Sequence, residues 1–262
     1  FWYHTQHIGK MGFLEKIIVT PSHHRVHHAI NPEYLDKNYS QIFIFWDKLF
    51  GTFQEELTDK PPVYGITRPV QTWNPIKINF QHLWLLIKDA WRAQSIKDKL
   101  RIWFMPTGWR PADVAAKFPL FKINDVYHFE KYDTKASKSL HIWVWVQLTM
   151  VLLFISYLFG NIKLINDLNG SYIFWYGAFV FVMVYALTDL MDRNKTAILV
   201  EAIKCTLGVY FILTQKDWFG ASHFFAPVIY VLLFYFTVSF LVTGYFVLTH
   251  AKEDKANHLS IA

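Results

Sequence analysis

Residues 141–160 read HIWVWVQLTMVLLFISYLFG, a run that contains no Asp, Glu, Lys or Arg. A helix of about 20 apolar residues is long enough to cross the hydrocarbon core of a bilayer. Three more apolar stretches of similar length follow it, at residues 172–191, 196–214 and 224–249. The second half of the chain therefore predicts four membrane-spanning helices.

The composition of this chain of 262 residues agrees with a membrane protein. Hydrophobic residues make up 53% of the sequence and aromatic residues 19%. Only 18% of the residues are charged, against roughly 25% in a soluble domain. A single cysteine excludes an internal disulfide framework and a zinc module built from several cysteines. The predicted fold class is all-α, an integral membrane helical protein.

Charge divides the chain into two predicted domains, residues 1–139 and residues 140–262. The first carries the whole net charge of +6, and the second, which holds the four spans, is neutral. The basic residues of the first domain alternate with bulky apolar ones, a pattern typical of contact with a membrane surface. We therefore expect a membrane-associated first domain and no nucleic-acid partner.

Positive charges in the loops predict the orientation of the spans. The loop at 192–195 holds an Arg and a Lys, and the segment after residue 250 holds two Lys. The loops at 161–171 and 215–223 hold one Lys each. Four spans then place residues 1–139, the 192–195 loop and the C-terminal segment together on the cytoplasmic side.

The third span contains two charged residues, Glu201 and Lys204. They are three positions apart and so share one face of a helix. The pattern predicts either an ion pair inside the helical bundle or two side chains that extend to the membrane interface. The sequence does not separate these two interpretations.

The first half contains apolar segments that are too short to span a bilayer. Residues 1–8 have the pattern of the end of a helix, and residues 39–50 have helical apolar spacing. Residues 78–104 mix Trp and Leu with Lys and Arg, which is typical of an amphipathic helix at a membrane interface. We expect these helices to surround a histidine-rich metal region ahead of the four-helix bundle.

Four of the twelve histidines fall within residues 23–28, HHRVHH, directly after a Pro-Ser pair that is typical of a helix start. On a helix, His24, His27 and His28 have the i, i+3, i+4 spacing that places side chains on one face. Neutral imidazole is a good ligand for iron, zinc and copper. These three histidines are therefore candidate metal ligands.

Other histidines lie close enough along the chain to contribute. His4 is a fourth ligand candidate and His7 a secondary one, because both would lie at the end of the helix expected over residues 1–8. His23 is also a secondary candidate. It lies about 100° around the helix from His24, so we expect its ring to turn away from the site.

The sequence after the cluster resembles a known family. The H-x-x-H-H box is followed by Asn38-Tyr39 and then by WDKLFGT at residues 46–52. This order is similar to the last histidine box of the fatty acid hydroxylase and sterol desaturase superfamily, which comprises membrane non-haem diiron oxygenases. Up to about residue 111 the likeness is closest to the branch that cleaves alkylglycerol ethers.

The resemblance implies a membrane-bound diiron monooxygenase that uses O₂ to attack a lipid C–H bond, most specifically by hydroxylating and cleaving alkylglycerol ethers. It implies two iron ions held by histidines on the cytoplasmic side of a bacterial inner membrane or an endoplasmic reticulum. A reduced pterin is one candidate electron donor, and the donor itself is left open. Residues 1–139 would form the C-terminal part of the catalytic domain.

Ligating imidazoles are usually oriented by further hydrogen-bonding side chains. Asp47 and Asn38 are the candidates for this role. Asp47 could equally face the cytosol or pair with Lys48 or Arg25.

The family pattern also includes two histidine boxes ahead of the last one, and this sequence, which begins without Met, has neither. We therefore expect an N-terminally truncated chain that supplies part of a diiron site. Two alternatives stay open. One is a hydroxylase or desaturase with the same metal chemistry acting on a sterol, carotenoid or fatty-acyl lipid, and the other is a non-catalytic membrane module that binds metal or lipid.

Overall fold

The computed structural model describes the backbone of residues 2–106 and 108–261, and the side chains as far as residue 249. Within these ranges the regular secondary structure is helical. Extended pairing there is limited to two isolated bridges, between Ile18 and Phe43 and between Ala29 and Tyr64. The predicted all-α class is confirmed for the described residues.

The chain folds into two compact units. The first, called here the histidine unit, comprises residues 1–71 and 86–132, and the second, the bundle unit, comprises residues 72–85 and 133–262. The histidine unit is rich in loops, and its helices are short apart from the one at Pro75–Arg92, whose residues are divided between the two units. These helices are α1 (Pro21–His27), α2 (Phe45–Phe50), α3 (Pro75–Arg92), α4 (Ile96–Arg101) and α5 (Ala112–Lys117).

The prediction of a helix that ends near residue 8 is wrong for residues 2–8, the described part of that segment. Residues 2–8 form turns and bends instead. The backbone carbonyls of Thr5 and Ile8 do not accept helical amides but accept hydrogen bonds from the guanidinium of Arg25. A side chain distant in sequence thus replaces the amide donors that a helix would supply.

The other two predicted helices of this half are also corrected. Helix α2 covers only the end of the 39–50 segment, because Ile42 and Ile44 pair through their backbone with residues 17–19. The 78–104 segment forms two helices rather than one. A new helix begins after Ser95, whose hydroxyl accepts the amide of Asp98 and caps α4.

Four helices of the bundle unit are long and apolar enough to cross a membrane, which confirms the four predicted spans. Their mean hydropathy lies between 1.7 and 2.1, and we describe the chain as an integral membrane protein. A short helix that the sequence did not predict joins the first two spans. The helices are α6 (Lys138–Gly160), α7 (Ile162–Leu168), α8 (Tyr172–Met191), α9 (Ala197–Gln215) and α10 (Val228–Ile261), of which Val228–Thr249 is the apolar span.

Aromatic rings fill the centre of the bundle unit. The ring of Trp218 lies 5.2 Å from that of Phe154, 5.1 Å from that of Phe179 and 6.1 Å from that of Phe236. Helices α9 and α10 approach closely beside this cluster, because a Cβ atom on Gly208 would overlap the ring of Phe236. Glycine is therefore required at 208 for the observed packing.

The charged pair of the third span is buried inside the bundle. Lys204 Nζ lies 2.6 Å from Glu201 Oε1, and the two side chains are 1% and 3% exposed. Lys204 also donates to Ser239 of α10 at 2.8 Å, and Ser239 donates to Glu201. Gln147 of α6 donates to the same Ser239 hydroxyl at 2.6 Å. The structure therefore favours the ion pair over side chains that extend to the interface.

One end of the bundle unit gathers the segments that precede α3 and α6. The carboxylate of Asp192, after α8, accepts from the hydroxyl of Thr72 and, at 2.8 Å, from the amide of Trp73. Thr134 donates to the carbonyl of Met191 at 2.8 Å. These contacts bring the entry to both helices next to the basic 192–195 loop.

Candidate metal centre

Helix α1 sets the spacing of the histidines. Thr20 occupies the N-cap in an extended conformation and Pro21 the first helical position, the arrangement expected at a helix start. The helix ends at His27, but His28 keeps a right-handed helical conformation, and its amide donates to the carbonyl of His24 at 3.1 Å. His24 and His28 therefore project from the same face, one turn apart.

His23 lies on a different side of the helix and is almost completely buried, at 2% exposed. Its Nδ1 atom accepts the backbone amide of Thr20 at 3.4 Å, and its ring packs edge-on against Phe53 at 5.5 Å. Burial lowers its pKa, which favours the neutral form. In this position the ring helps to cap the N-terminus of α1, because it accepts the backbone amide of the N-cap residue.

Three imidazoles converge in the histidine unit, from His4, His24 and His28. The Nε2 atom of His24 lies 2.8 Å from that of His4 and 3.0 Å from that of His28. All three candidate ligand nitrogens lie within 4.8 Å of one another. His4 comes from the non-helical segment 2–8, so the group joins two parts of the chain that are far apart in sequence.

This donor set fits a metal ion. Two imidazole nitrogens that bind one ion at right angles, each about 2.1 Å from it, lie about 3 Å apart. Burial, together with the neighbouring imidazoles His28 and His4, lowers the pKa of His24 to about 4. Burial and the charges of His27 and His4 also lower the pKa of His28. Both rings are therefore neutral near pH 7, the state that a metal requires.

Of the remaining candidate ligands, His27 lies beside this group, and His7 lies in the non-helical segment that carries His4. The ring of His27 is 5.6 Å from that of His24 and 5.1 Å from that of His28. It lines a cavity of about 320 Å³ together with Tyr39. His7 lies exposed in a bend, where its amide donates to the hydroxyl of Thr5 at 3.1 Å. Neither residue belongs to the group of three, and their assignment as ligands stays a prediction.

Asn38 is buried and contacts the backbone beside the ligands. Its amide donates to the carbonyls of His23 at 3.1 Å and Gln54 at 2.8 Å, and its side-chain oxygen accepts the amide of Gln54 at 2.9 Å. It thus connects α1, one residue before His24, to the loop after α2. Its contact with the ligand helix is through the backbone rather than through an imidazole.

Asp47 is buried, at 2% exposed, and organises the loop around α2. Its carboxylate accepts the amides of Tyr39 at 2.8 Å and Ser40 at 3.0 Å and the hydroxyl of Thr52 at 2.7 Å. Burial alone would raise its pKa, but the bonds from Thr52 and Ser40 lower it below its ordinary value. These donors are two amides and a hydroxyl, and the proposed contact of Asp47 with an imidazole stays a prediction.

A cavity of about 550 Å³ opens beside the three imidazoles. Its wall includes Tyr3 and residues 64–66 as well as His4, His24 and His28, and its volume is that of a small-molecule site. Residues 64–66 arrive through the bridge between Ala29 and Tyr64. Sequence reasoning did not find this wall, because long-range pairing of this kind has no local signal.

The four apolar helices are those of an integral membrane protein, and the histidine box resembles that of membrane hydroxylases and desaturases. Residues 1–52 match the family model of the fatty acid hydroxylases. The resemblance predicted from the histidine box and the WDKLFGT segment is therefore confirmed.

Curated relatives match over most of the chain. It is 31% identical to alkylglycerol monooxygenase of Homo sapiens over 211 residues, which are 79% of this chain and 45% of the relative. It is 33% identical to that of Xenopus tropicalis over 217 residues, 82% of this chain and 47% of the relative. The chain thus spans about half the length of these relatives. No solved structure matches it.

Proposed function

We propose that this chain forms part of a membrane-bound, iron-dependent monooxygenase that cleaves alkylglycerol ethers. The observation that carries the proposal is the convergence of His4, His24 and His28 beside an open cavity of about 550 Å³. The match to fatty acid hydroxylases and the names of the relatives support the reaction class and the substrate. Residues 1–139 are proposed to be the C-terminal part of the catalytic domain.

Bound iron would supply, with O₂, an oxidant strong enough for an unactivated C–H bond, which no side chain provides. His4, His24 and His28 would hold an ion, as part of the ligand set of two proposed iron ions. The low pKa of His24 keeps its ring neutral near pH 7, so that one of its two ring nitrogens has a lone pair free to bind a metal. Tyr64 and Ile66, on the cavity wall, would orient the lipid beside the imidazoles.

The proposed reaction balances with an external reductant. One oxygen atom of O₂ enters the C–H bond next to the ether oxygen, and the other leaves as water with two electrons and two protons from the donor. The resulting hemiacetal collapses to an aldehyde and a free glycerol hydroxyl. A reduced pterin is our proposal for the donor, by resemblance to the ether-cleaving branch.

The test supplies the full-length protein, in membranes, with an alkylglycerol, a sterol or a fatty-acyl lipid together with O₂ and a reduced pterin. We expect aldehyde release from the alkylglycerol and no product from the other two lipids. A His24→Ala variant serves as the control for activity that does not depend on the histidines.

Other outcomes select the alternatives. Turnover of the sterol or acyl lipid alone would replace the proposed substrate while keeping the reaction class. No turnover of any lipid by an iron-loaded protein, with several donors tried, would favour a non-catalytic metal- or lipid-binding module.

We further propose that the metal centre lies on the cytoplasmic side of the membrane. The positive-inside rule supports this orientation through the 192–195 loop. The contacts of Asp192 with residues 72 and 73 support placing the entry to α3 at that same end of the bundle unit. The lysines after residue 250, which the orientation also uses, lie outside the described side chains.

Cysteine labelling tests this orientation. His223 and Lys138 are both exposed and lie near opposite ends of the bundle unit. We expect an impermeant thiol reagent added outside intact cells to modify a His223→Cys variant and to spare a Lys138→Cys variant. The parent chain, whose only cysteine is the half-buried Cys205, gives the background. Labelling of the Lys138→Cys variant alone would show that the orientation is the reverse of the one proposed.

A further inference from the structure

One charged side chain of α1 contacts the segment that carries His4. Arg25 follows His24 directly, and its guanidinium projects from another side of the helix. Its Nη1 atom donates to the carbonyl oxygens of Thr5 at 3.0 Å and of Ile8 at 2.8 Å. These carbonyls belong to the non-helical segment just after His4.

The same guanidinium is held from its other side by Glu56. Nε donates to Glu56 Oε1 at 2.9 Å, and Nη2 donates to Oε2 at 2.5 Å. The two side chains are only 12% and 17% exposed. A bidentate pair of this kind fixes the plane of the guanidinium, and its remaining donor nitrogen is therefore directed at the two carbonyls.

Glu56 is itself held in place by α1. Burial alone would raise its pKa, but hydrogen bonds from Arg25 and Ser22, together with the charge of Arg25, lower it below the ordinary value. The acceptor is therefore an ionised carboxylate near neutral pH.

We infer that Arg25, oriented by Glu56, is a positioning residue that holds the His4 segment against α1 so that His4 reaches His24 and His28. The inference rests on the proposed metal site. A helix would fix His4 through its own hydrogen bonds, but residues 2–8 are not helical. The two bonds to Thr5 and Ile8 give this segment a fixed point next to the ligand.

A lysine at position 25 could not replace the arginine. Five hydrogen bonds leave the guanidinium in a planar, forked arrangement, three to the carboxylate and two to the carbonyls. An ammonium group has three donors on one atom and cannot span both partners. The charge alone is therefore insufficient, and the shape of the group is required.

The test measures Fe²⁺ affinity by anaerobic titration of the purified full-length protein in detergent. Changes to residues that orient metal ligands typically weaken binding about 10–100-fold. We expect Arg25→Gln and Arg25→Lys to weaken Fe²⁺ binding within that range. The milder Glu56→Gln variant, which keeps the size of the side chain, should weaken binding in the same direction.

A neighbouring ion pair provides the matched control. Lys10 and Glu55 join the N-terminal segment to the loop that carries Glu56, with Lys10 Nζ 3.7 Å from Glu55 Oε2. Their side chains are 51% and 65% exposed, and exposed ion pairs contribute little to stability. Glu55→Gln should therefore leave Fe²⁺ affinity unchanged. Circular dichroism of each variant checks that the helical content is retained.

A double-variant cycle separates positioning from a general loss of structure. If Arg25 acts through His4, then Arg25→Gln should cause no further loss of Fe²⁺ affinity in a His4→Ala background. Additive losses, or wild-type affinity in Arg25→Gln, would overturn the inference. If His4→Ala and His24→Ala both bind Fe²⁺ as tightly as the parent, the proposed metal site itself fails, a result distinct from failure of the inference alone.

Discussion

Replacement of His24 by Ala is expected to abolish Fe²⁺ binding at the histidine centre of the full-length protein. His24 is the middle member of the group, with its Nε2 atom 2.8 Å and 3.0 Å from those of His4 and His28. Its removal leaves two imidazoles without their common neighbour. The loss should reach on the order of 100-fold or more, because it exceeds the effect of altering a residue that only orients a ligand. Metal content after gel filtration and anaerobic titration measures it.

The adjacent His23 is the control for this prediction. Its ring is buried against Phe53 and accepts the amide of Thr20, so His23→Gln should lower stability while preserving Fe²⁺ binding in the folded fraction. Equal losses of Fe²⁺ binding at positions 23 and 24 would contradict the assignment of the two faces of α1. The same titration of His27→Ala reports whether the histidine beside the group is also a ligand.

Replacement of Lys204 by Met is expected to destabilise the bundle unit by about 3–5 kcal/mol, the usual cost of removing one partner of a buried ion pair. The variant leaves the carboxylate of Glu201 buried without its 2.6 Å partner. A double variant, Glu201→Leu with Lys204→Met, removes both charges and should recover most of the loss. The free energy of unfolding in mixed micelles measures both effects.

The control lies at the end of the same helix. Lys216 follows α9 and is exposed, so Lys216→Met should change the free energy of unfolding by less than about 1 kcal/mol. Equal effects at positions 204 and 216, or a double variant no more stable than Lys204→Met alone, would show that the pair contributes little to the bundle.

Features that depend on neighbours along the chain could be predicted from the sequence. Residues 141–160 are apolar for the length of a bilayer, and the span found is Lys138–Gly160. His24 and His28 share a face of α1 because helical spacing alone determines it. The resemblance to fatty acid hydroxylases could be recognised for the same reason, since the histidine box and the WDKLFGT segment are short motifs that lie close together in the sequence.

Features that depend on distant partners could not be predicted. Residues 2–8 have the composition of a helix end, yet Arg25 takes two of their carbonyls. Residues 42–44 have helical spacing, yet they pair with residues 17–19. Each local preference is worth a fraction of a kcal/mol per residue, so a few long-range hydrogen bonds are enough to override it.

Because α9 and α10 approach closely, the side-chain volume at position 208 affects the hydrogen bonds made by the charged side chain at position 204. Gly208 lies one helical turn after Lys204, and Phe236 lies one turn before Ser239 on the facing helix. A methyl group at 208 would displace the ring of Phe236, and the resulting separation of the helices would lengthen the 2.8 Å bond from Lys204 to Ser239. The effects of substitutions at 204 and 208 on stability are therefore expected to be non-additive.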